Sequence, residues 1–566
     1  MRKPLAILLL LSASATARAD WLEASTDHFV IYAETSERNL RRFAEQLERF
    51  SAAVSITTGT PRTTPTKSAR VTIYVTGGME SLREIYSQDG RRPRDIAGFY
   101  IPRIEGPVAF VPELIAGRSR DDLDFSMTVL LHEYAHHVFR SNNRFAAPRW
   151  LTEGSAEFFS SAGFASDGSV MLGRPANHRA TELGAGNTVT VTDLLDPDHY
   201  EKRRGNRPRY DSGFYARAWL FYHFLTFEPG RRSQLSAYIA SMQSGRTSRE
   251  AADAVFGDLS KLDKELNAYL ARDDFKYLKF EPAKLPIGDV ALRTLSRGES
   301  AVMRIVMRSK RGVGTGPVRE DIRADARAVA AKHRTEAAVL AALSEAEYGA
   351  GDDDAAIAAA DAALAIDPGN VDAHIQKGYA LFRKARSSGD ETAMRAARRA
   401  FMALNKVEND HPVPLYRFYL TYTSGGDAPS ANAVAALEQA AGLAPFADEV
   451  ALALAHRRLV EGRIAEAREA LMPIAYDPHG GRQAGRLRMF LARLDASSAG
   501  DASAMARALG SLADDDAEED DGDGPGAPPG PGAQPGPGAQ PGPGAQPGPG
   551  APPPSGDASK IAVQRP

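Results

Sequence analysis

The chain has 566 residues, which exceeds the usual size of one domain. Its 69 Lys and Arg nearly balance its 72 Asp and Glu, and no basic block stands out, so we do not expect a nucleic-acid partner. The absence of cysteine excludes disulfides, a lipoprotein anchor and a thiolate metal site.

The first residues have the pattern of a secretory signal peptide. A positively charged start at residues 1–3 precedes an apolar run at 5–11, and Ala17-Arg18-Ala19 has the form of a cleavage site. A transmembrane helix needs about 20 apolar residues, and neither this run nor any other segment is long enough. We therefore expect residues 1–19 to be removed and the mature protein to be soluble, in the bacterial periplasm or secreted.

The segment that follows mixes strand and helix patterns. Residues 28–32 and 71–75 are rich in β-branched and aromatic side chains, which predicts strands, and residues 38–54 between them predict an amphipathic helix. Residues 98–101 and 107–111 predict a hairpin.

An apolar helical segment contains His132-Glu133-Tyr134-Ala135-His136. Histidines at positions i and i+4 lie on one helical face, where both can bind one metal ion. The neighbouring Glu133 is then positioned to act as general base on a water that Zn²⁺ activates.

A catalytic zinc needs a third protein ligand and an open position. Glu153 follows His136 after sixteen intervening residues, within Trp150-Leu151-Thr152-Glu153-Gly154. Together the two motifs resemble those of the gluzincins, the thermolysin-like zinc metallopeptidases. The resemblance implies an α+β zincin domain over residues 20–295 and one Zn²⁺ per chain held by His132, His136 and Glu153. It also implies peptide hydrolysis with Glu133 as general base.

A tyrosine motif follows downstream. Tyr210 and Gly213 are similar to the Tyr-x-x-Gly motif of gluzincin aminopeptidases, whose tyrosine stabilises the oxyanion. The resemblance implies that role for Tyr210, with Tyr215 in reserve; the alternative is that Tyr210 only packs. Residues 77–80 lack the Asn of the aminopeptidase Gly-x-Met-Glu-Asn motif, so endopeptidase activity is favoured.

Two further elements are assigned through the same resemblance. Glu157, one helical turn after Glu153, is a candidate to orient a ligand histidine, or else it packs or is solvated. Residues 108–111 are a candidate strand for binding substrate backbone, or else an ordinary core strand. We interpret the other histidines considered as non-ligands, because they lack ligand spacing or, for His137, point elsewhere on the helix: His28, His137, His178, His199 and His223.

From residue 296 to 513 the chain becomes Ala-rich and helical. Residues 337–370 resemble a tetratricopeptide repeat, and further copies are predicted from residue 371, at 414–445, at 448–478 and at 482–512. Such copies stack into an all-α solenoid with a concave face that can bind a protein partner. Residues 514–566 join an acidic run to a Gly-, Pro-, Ala- and Gln-rich repeat, which predicts a disordered tail.

Two functions are compatible with these patterns. In the first, the chain is an exported zinc endopeptidase that acts on a peptide or protein substrate recruited by its solenoid. In the second, the zincin fold is inactive and the solenoid mediates protein–protein interaction. The intact Glu133 favours the enzyme.

Overall fold

The computed structural model describes residues 21–87, 96–114, 125–142, 145–184, 188–205, 212–313 and 316–520. The predicted signal peptide at 1–19, Tyr210 and the low-complexity segment after residue 520 lie outside the described residues.

The strands form a mixed six-stranded sheet and a small antiparallel sheet. They are β1 (Trp21–Ser25), β2 (Phe29–Glu34), β3 (Val71–Val75), β4 (Phe99–Ile101), β5 (Val108–Val111), β6 (Gly163–Phe164), β7 (Val170–Leu172), β8 (Leu278–Phe280) and β9 (Ala291–Thr294). The large sheet has the order β4-β5-β3-β2-β1-β9 and the small one β6-β7-β8. In the large sheet β2, β3 and β5 are parallel neighbours, whereas β1, β4 and β9 pair antiparallel.

Helices make up the rest of the described regular structure, apart from short 3₁₀ turns. The helices that precede residue 296 are α1 (Glu37–Thr58), α2 (Met79–Tyr86), α3 (Phe125–Asn142), α4 (Arg149–Ser160), α5 (Ala180–Gly184), α6 (Val191–Leu195), α7 (Pro197–Arg204), α8 (Ser212–Phe227), α9 (Arg231–Gln243), α10 (Ser248–Phe256) and α11 (Leu259–Leu270). The helices that follow are α12 (Arg297–Arg311), α13 (Pro317–Lys332), α14 (Ala337–Gly349), α15 (Asp353–Ile366), α16 (Val371–Ser388), α17 (Glu391–Val407), α18 (Pro412–Thr423), α19 (Ala431–Leu443), α20 (Asp448–Val460), α21 (Ile464–Ala475), α22 (Gly481–Asp495) and α23 (Ala502–Asp520).

The strands and the first helix predicted from the sequence are confirmed. Side chains of β2 alternate between buried and half-buried positions, as expected of a strand with one face on a core. The helix α1 begins where the Ser36 side chain accepts a hydrogen bond from the Asn39 amide, and it ends at Gly59 in the left-handed conformation (φ 72°).

The predicted hairpin is also confirmed, but the role suggested for its second strand is wrong. Val108–Val111 pairs with β3 on one side and with β4 on the other. A strand with both edges paired cannot add a substrate strand. The free edge of this side of the sheet belongs to Phe99–Ile101, because that short strand pairs only with β5 among the described residues.

The two parts of the chain share a core across the sheet. One face of the sheet carries stacked aromatic rings, with Phe110 5.3 Å from Tyr74 and 4.6 Å from Phe99 between ring centroids. Met303 and Met307 of α12 belong to the same buried cluster. The boundary predicted at residues 295/296 therefore has contacts across it, and separate folding of the two parts stays a prediction.

The helices from α12 to α23 form a tetratricopeptide-like array. Consecutive helices pack against each other, and alternate helices such as α12 and α14, or α14 and α16, are also in contact. The copy predicted at 337–370 corresponds to α14 and α15, whose contact surface is lined by small residues such as Ala341, Ala356 and Ala360. Small side chains allow the close approach of paired helices on which such an array depends.

The end of the array differs from the prediction in one respect. α23 continues to Asp520, so the first residues of the predicted disordered tail, 514–520, are helical. No helix among the described residues is long and apolar enough to span a bilayer.

Candidate metal centre

The two motif histidines lie on α3, which packs against β4, β5 and α4. His132 is buried and His136 half-buried, and their Nε2 atoms are 3.0 Å apart. The spacing of four residues thus brings both imidazoles to one point, as the sequence predicted.

The third predicted ligand reaches the same point from α4. Oε2 of Glu153 lies 3.4 Å from Nε2 of His132 and 3.3 Å from Nε2 of His136.

Two neighbours of Glu153 explain how α4 is held. Trp150 is fully buried and donates its Nε1 hydrogen to the Tyr238 hydroxyl at 3.2 Å. Gly154 lets α8 approach, because a Cβ at that position would lie 2.5 Å from the carbonyl oxygen of Ala218.

A fourth donor comes from the helical array, and the sequence analysis missed it. Nε2 of His479, in the turn between α21 and α22, lies 3.4 Å from Nε2 of His136 and 3.6 Å from Oε1 of Glu153. The four donor groups of His132, His136, Glu153 and His479 all lie within 4.8 Å of one another. The only sequence signal was a lone histidine after Asp477-Pro478, which carries no ligand spacing.

Most of these distances are close to the donor separations of a tetrahedral zinc site. Zinc binds His nitrogen and carboxylate oxygen at about 2.0–2.1 Å, so neighbouring donors of a tetrahedral site are about 3.3 Å apart. Five of the six donor pairs are separated by 3.0, 3.3, 3.4, 3.4 and 3.6 Å, around that value, and all six lie within 4.8 Å.

The carboxylate of Glu153 gives an independent reason to place a cation here. Its side chain is 0% exposed, and neither carboxylate oxygen has a hydrogen-bond partner among the described residues. Three imidazole nitrogens lie 3.3–3.6 Å from its oxygens, and a bound cation between them and the buried carboxylate would supply the interaction that it lacks.

The electrostatics of the site agree with this reading. Burial opposes ionisation of Glu153, but His479 and His136 hold the pKa of its carboxyl well below the usual range. Burial alone would lower the pKa of His132, yet the carboxylates of Glu153 and Glu157 outweigh burial and raise it. The site therefore keeps Glu153 anionic where a cation would be bound.

Glu157 lies on α4 one turn after Glu153, next to the Nδ1 side of the His132 ring. Its Oε1 is 3.6 Å from Nδ1 of His132, its Oε2 is 2.7 Å from Nε2 of His178, and it is ion-paired with the buried Arg179. Burial opposes ionisation, but Arg179 and His178 lower the pKa of the Glu157 carboxyl. Glu157 is thus an anion held beside the Nδ1 of His132.

Glu133 is half-buried on α3, next to His132. Among the described residues it has no hydrogen bond or ion pair, although its charge acts on both His132 and Tyr100 of the edge strand β4. Its carboxylate therefore makes no bond that stabilises the described part of the fold.

The remaining described candidates are not among the four donors. The Tyr215 hydroxyl accepts a hydrogen bond from Arg149 at 3.2 Å, which gives the reserve tyrosine a structural partner. His137 lies with its Nδ1 2.6 Å from the Tyr100 hydroxyl and packs against Phe446. His137 is thus a packed residue outside the group of four donors, in agreement with its interpretation as a non-ligand.

No family model and no curated protein matches the chain. Among solved structures, a thermophilic TPR protein of Thermus thermophilus, TTC0263, is similar over 32% of this chain and 92% of its own, at 18% identity and a TM-score of 0.27. MamA is similar over 32% of this chain and 96% of its own, at 16% identity and a TM-score of 0.24.

Proposed function

We propose that the chain is a zinc-dependent peptidase, in the thermolysin-like manner that its motifs suggest. The observation that carries the proposal is the convergence of His132, His136 and Glu153 on one point, with the uncommitted Glu133 beside them. The leader-like residues 1–19 support export, and the helical array supports recruitment of a peptide or protein.

His132, His136 and Glu153 would hold the ion, and Glu157 would keep the His132 imidazole oriented through its Nδ1. When bound, Zn²⁺ supplies a Lewis acid that polarises a substrate carbonyl and lowers the pKa of water. Glu133 takes a proton from the attacking water and passes it to the amine nitrogen as the C–N bond breaks. Tyr210 is the proposed donor to the oxyanion.

A second function is favoured by one specific observation, the presence of His479. Four protein donors are typical of structural zinc sites, whereas catalytic sites keep a position open. In that case the metal would tie the array to the sheet domain, which is the part of the chain that precedes residue 296. The array would then mediate protein–protein interaction without catalysis.

The decisive comparison uses a peptide library, with wild type and Glu133→Gln assayed for hydrolysis and for zinc content. Gln has the shape of Glu but cannot accept the proton, so the variant should keep its zinc and lose nearly all turnover. Glu113→Gln, an exposed glutamate after β5, is the matched control and should behave as wild type. Equal hydrolysis by Glu133→Gln and wild type would assign the activity to a contaminant and favour the scaffold.

A further inference from the structure

The turn that carries His479 is built to hold that side chain in place. After α21 ends, the Asp477 carboxylate accepts a hydrogen bond from the His479 amide at 2.8 Å, and the Asp477 carbonyl accepts one from the Gly480 amide at 3.2 Å. These local bonds fix the backbone on both sides of Pro478.

The turn is anchored to the helix that carries the motif histidines. Arg140 follows His136 by one turn of α3 and is ion-paired with Asp477 and with Asp448 at the start of α20. All three side chains are partly shielded from solvent, so the pairs are less screened than exposed ones. One arginine of the sheet domain thus binds two carboxylates of the array.

Apolar contacts extend this attachment around the site. Phe446 of the array packs 5.3 Å from the His137 ring, and Ala146 packs against the cluster formed by α20 to α23. Ile104, in the β4–β5 hairpin, is buried in the cluster formed by α16 to α20. The array therefore lies over the end of the sheet domain at which the motif histidines converge.

We infer that His479 is the fourth protein ligand of the metal and that the docked array closes the metal centre. The inference rests on the metal centre of the proposed function. Catalytic zinc sites leave one position open, and His479 fills that position. In the docked state the peptidase is latent, and movement of the α21–α22 turn exposes the metal to a substrate carbonyl.

The test measures metal ligation in the full-length chain, without relying on hydrolysis. Zinc affinity is determined by competition with a chelator, and ligand geometry by the visible spectrum of the Co²⁺-substituted protein. The variants are His479→Ala and His479→Gln, with Asp477→Asn to loosen the turn. His456→Ala is the matched control, because His456 lies in the same array on α20 and is not among the four donors. Circular dichroism checks that each variant keeps its helix content.

Both His479 variants should lower zinc affinity on the order of 10- to 100-fold or more. A loss of this size is typical when a residue that only hydrogen-bonds a metal ligand is removed, and a direct ligand should matter at least as much. Their Co²⁺ spectra should change, and added imidazole should restore the wild-type spectrum of His479→Ala. Asp477→Asn should have a smaller effect and His456→Ala none.

Wild-type zinc affinity and an unchanged Co²⁺ spectrum in both His479 variants would overturn the inference, and the three-ligand centre and the proposed peptidase would be unaffected. A changed spectrum together with no hydrolysis by any variant would support ligation by His479 and count against the peptidase. The two proposals can thus fail separately.

Discussion

His479 and His136 place their Nε2 atoms 3.4 Å apart, although 343 residues separate them along the chain. One histidine belongs to the motif helix and the other to a turn of the helical array. The cluster of four donor groups is therefore built jointly by the two parts of the chain, and the position of the array determines whether the cluster is complete.

We predict that His479→Ala hydrolyses short peptides faster than wild type. Because the open state is a minor population in the wild type, the apparent kcat/KM is the intrinsic value multiplied by that fraction, and removing His479 should raise it on the order of tenfold or more. Initial rates at saturating zinc, where both proteins are fully loaded, provide the measurement. A lower rate for the loaded variant than for wild type would contradict latency.

Loss of the Glu157 carboxylate should weaken both stability and metal binding. Glu157→Gln removes the carboxylate from its buried ion pair with Arg179, and breaking such a pair costs about 3–5 kcal/mol. Zinc affinity should fall ~10- to 100-fold because His132 loses the anion beside its Nδ1. Urea unfolding and chelator competition measure the two effects.

The matched control for Glu157 is Glu182→Gln. Glu182 also lies near Arg179, at 3.7 Å, but its side chain is more exposed, so its loss should change stability by less than about 1 kcal/mol. Equal destabilisation by both variants would mean that the charge of Arg179, and not the position of Glu157, dominates.

Gly154→Ala should disturb the metal centre through the backbone. The added Cβ would lie 2.5 Å from the Ala218 carbonyl oxygen, so α4 and α8 must separate and the neighbouring Glu153 must move. Overpacking of this kind costs about 1–3 kcal/mol. Gly184→Ala, at the exposed end of α5 with no atom within 4 Å, should change stability by less than about 0.5 kcal/mol. Zinc affinity that is unchanged in Gly154→Ala would show that the helices tolerate the methyl group.

The sheet domain should lose stability on acidification through His223. This residue is fully buried, with its Nδ1 2.8 Å from the Tyr269 hydroxyl and its Nε2 3.0 Å from the Gly173 carbonyl oxygen. Burial lowers its pKa from 6.5 to about 4. On acidification, His223 therefore binds a proton at a higher pH in the unfolded chain than in the folded chain. The free energy of unfolding that is present above pH 6.5 is lost as the pH falls towards 4, and the loss is on the order of 3 kcal/mol.

Tryptophan fluorescence measures this effect selectively, because all three tryptophans, Trp21, Trp150 and Trp219, precede residue 296. Urea midpoints at pH 7, 6 and 5 should decline in the wild type and decline less in His223→Gln. Parallel pH dependence in the two proteins would assign the loss to other groups.

The local parts of the site could be predicted from the sequence, and the long-range part could not. His132 and His136 are neighbours because of helical periodicity alone, and Glu153 was indicated by the residues around it. His479 approaches only because successive helix pairs stack back onto α3, a geometry that no local pattern encodes. The strand Val108–Val111 was misread for the same reason, since its second edge is covered by a parallel pairing with β3, which is distant in the sequence.

Zinc content per chain is the most direct test of the metal centre on which the whole account depends. Elemental analysis of the purified full-length protein should find about one zinc in the wild type, and much less after dialysis in His132→Ala, His136→Ala and Glu153→Ala. Undiminished zinc in Glu153→Ala would contradict the assignment and direct attention to Glu157 as the carboxylate ligand.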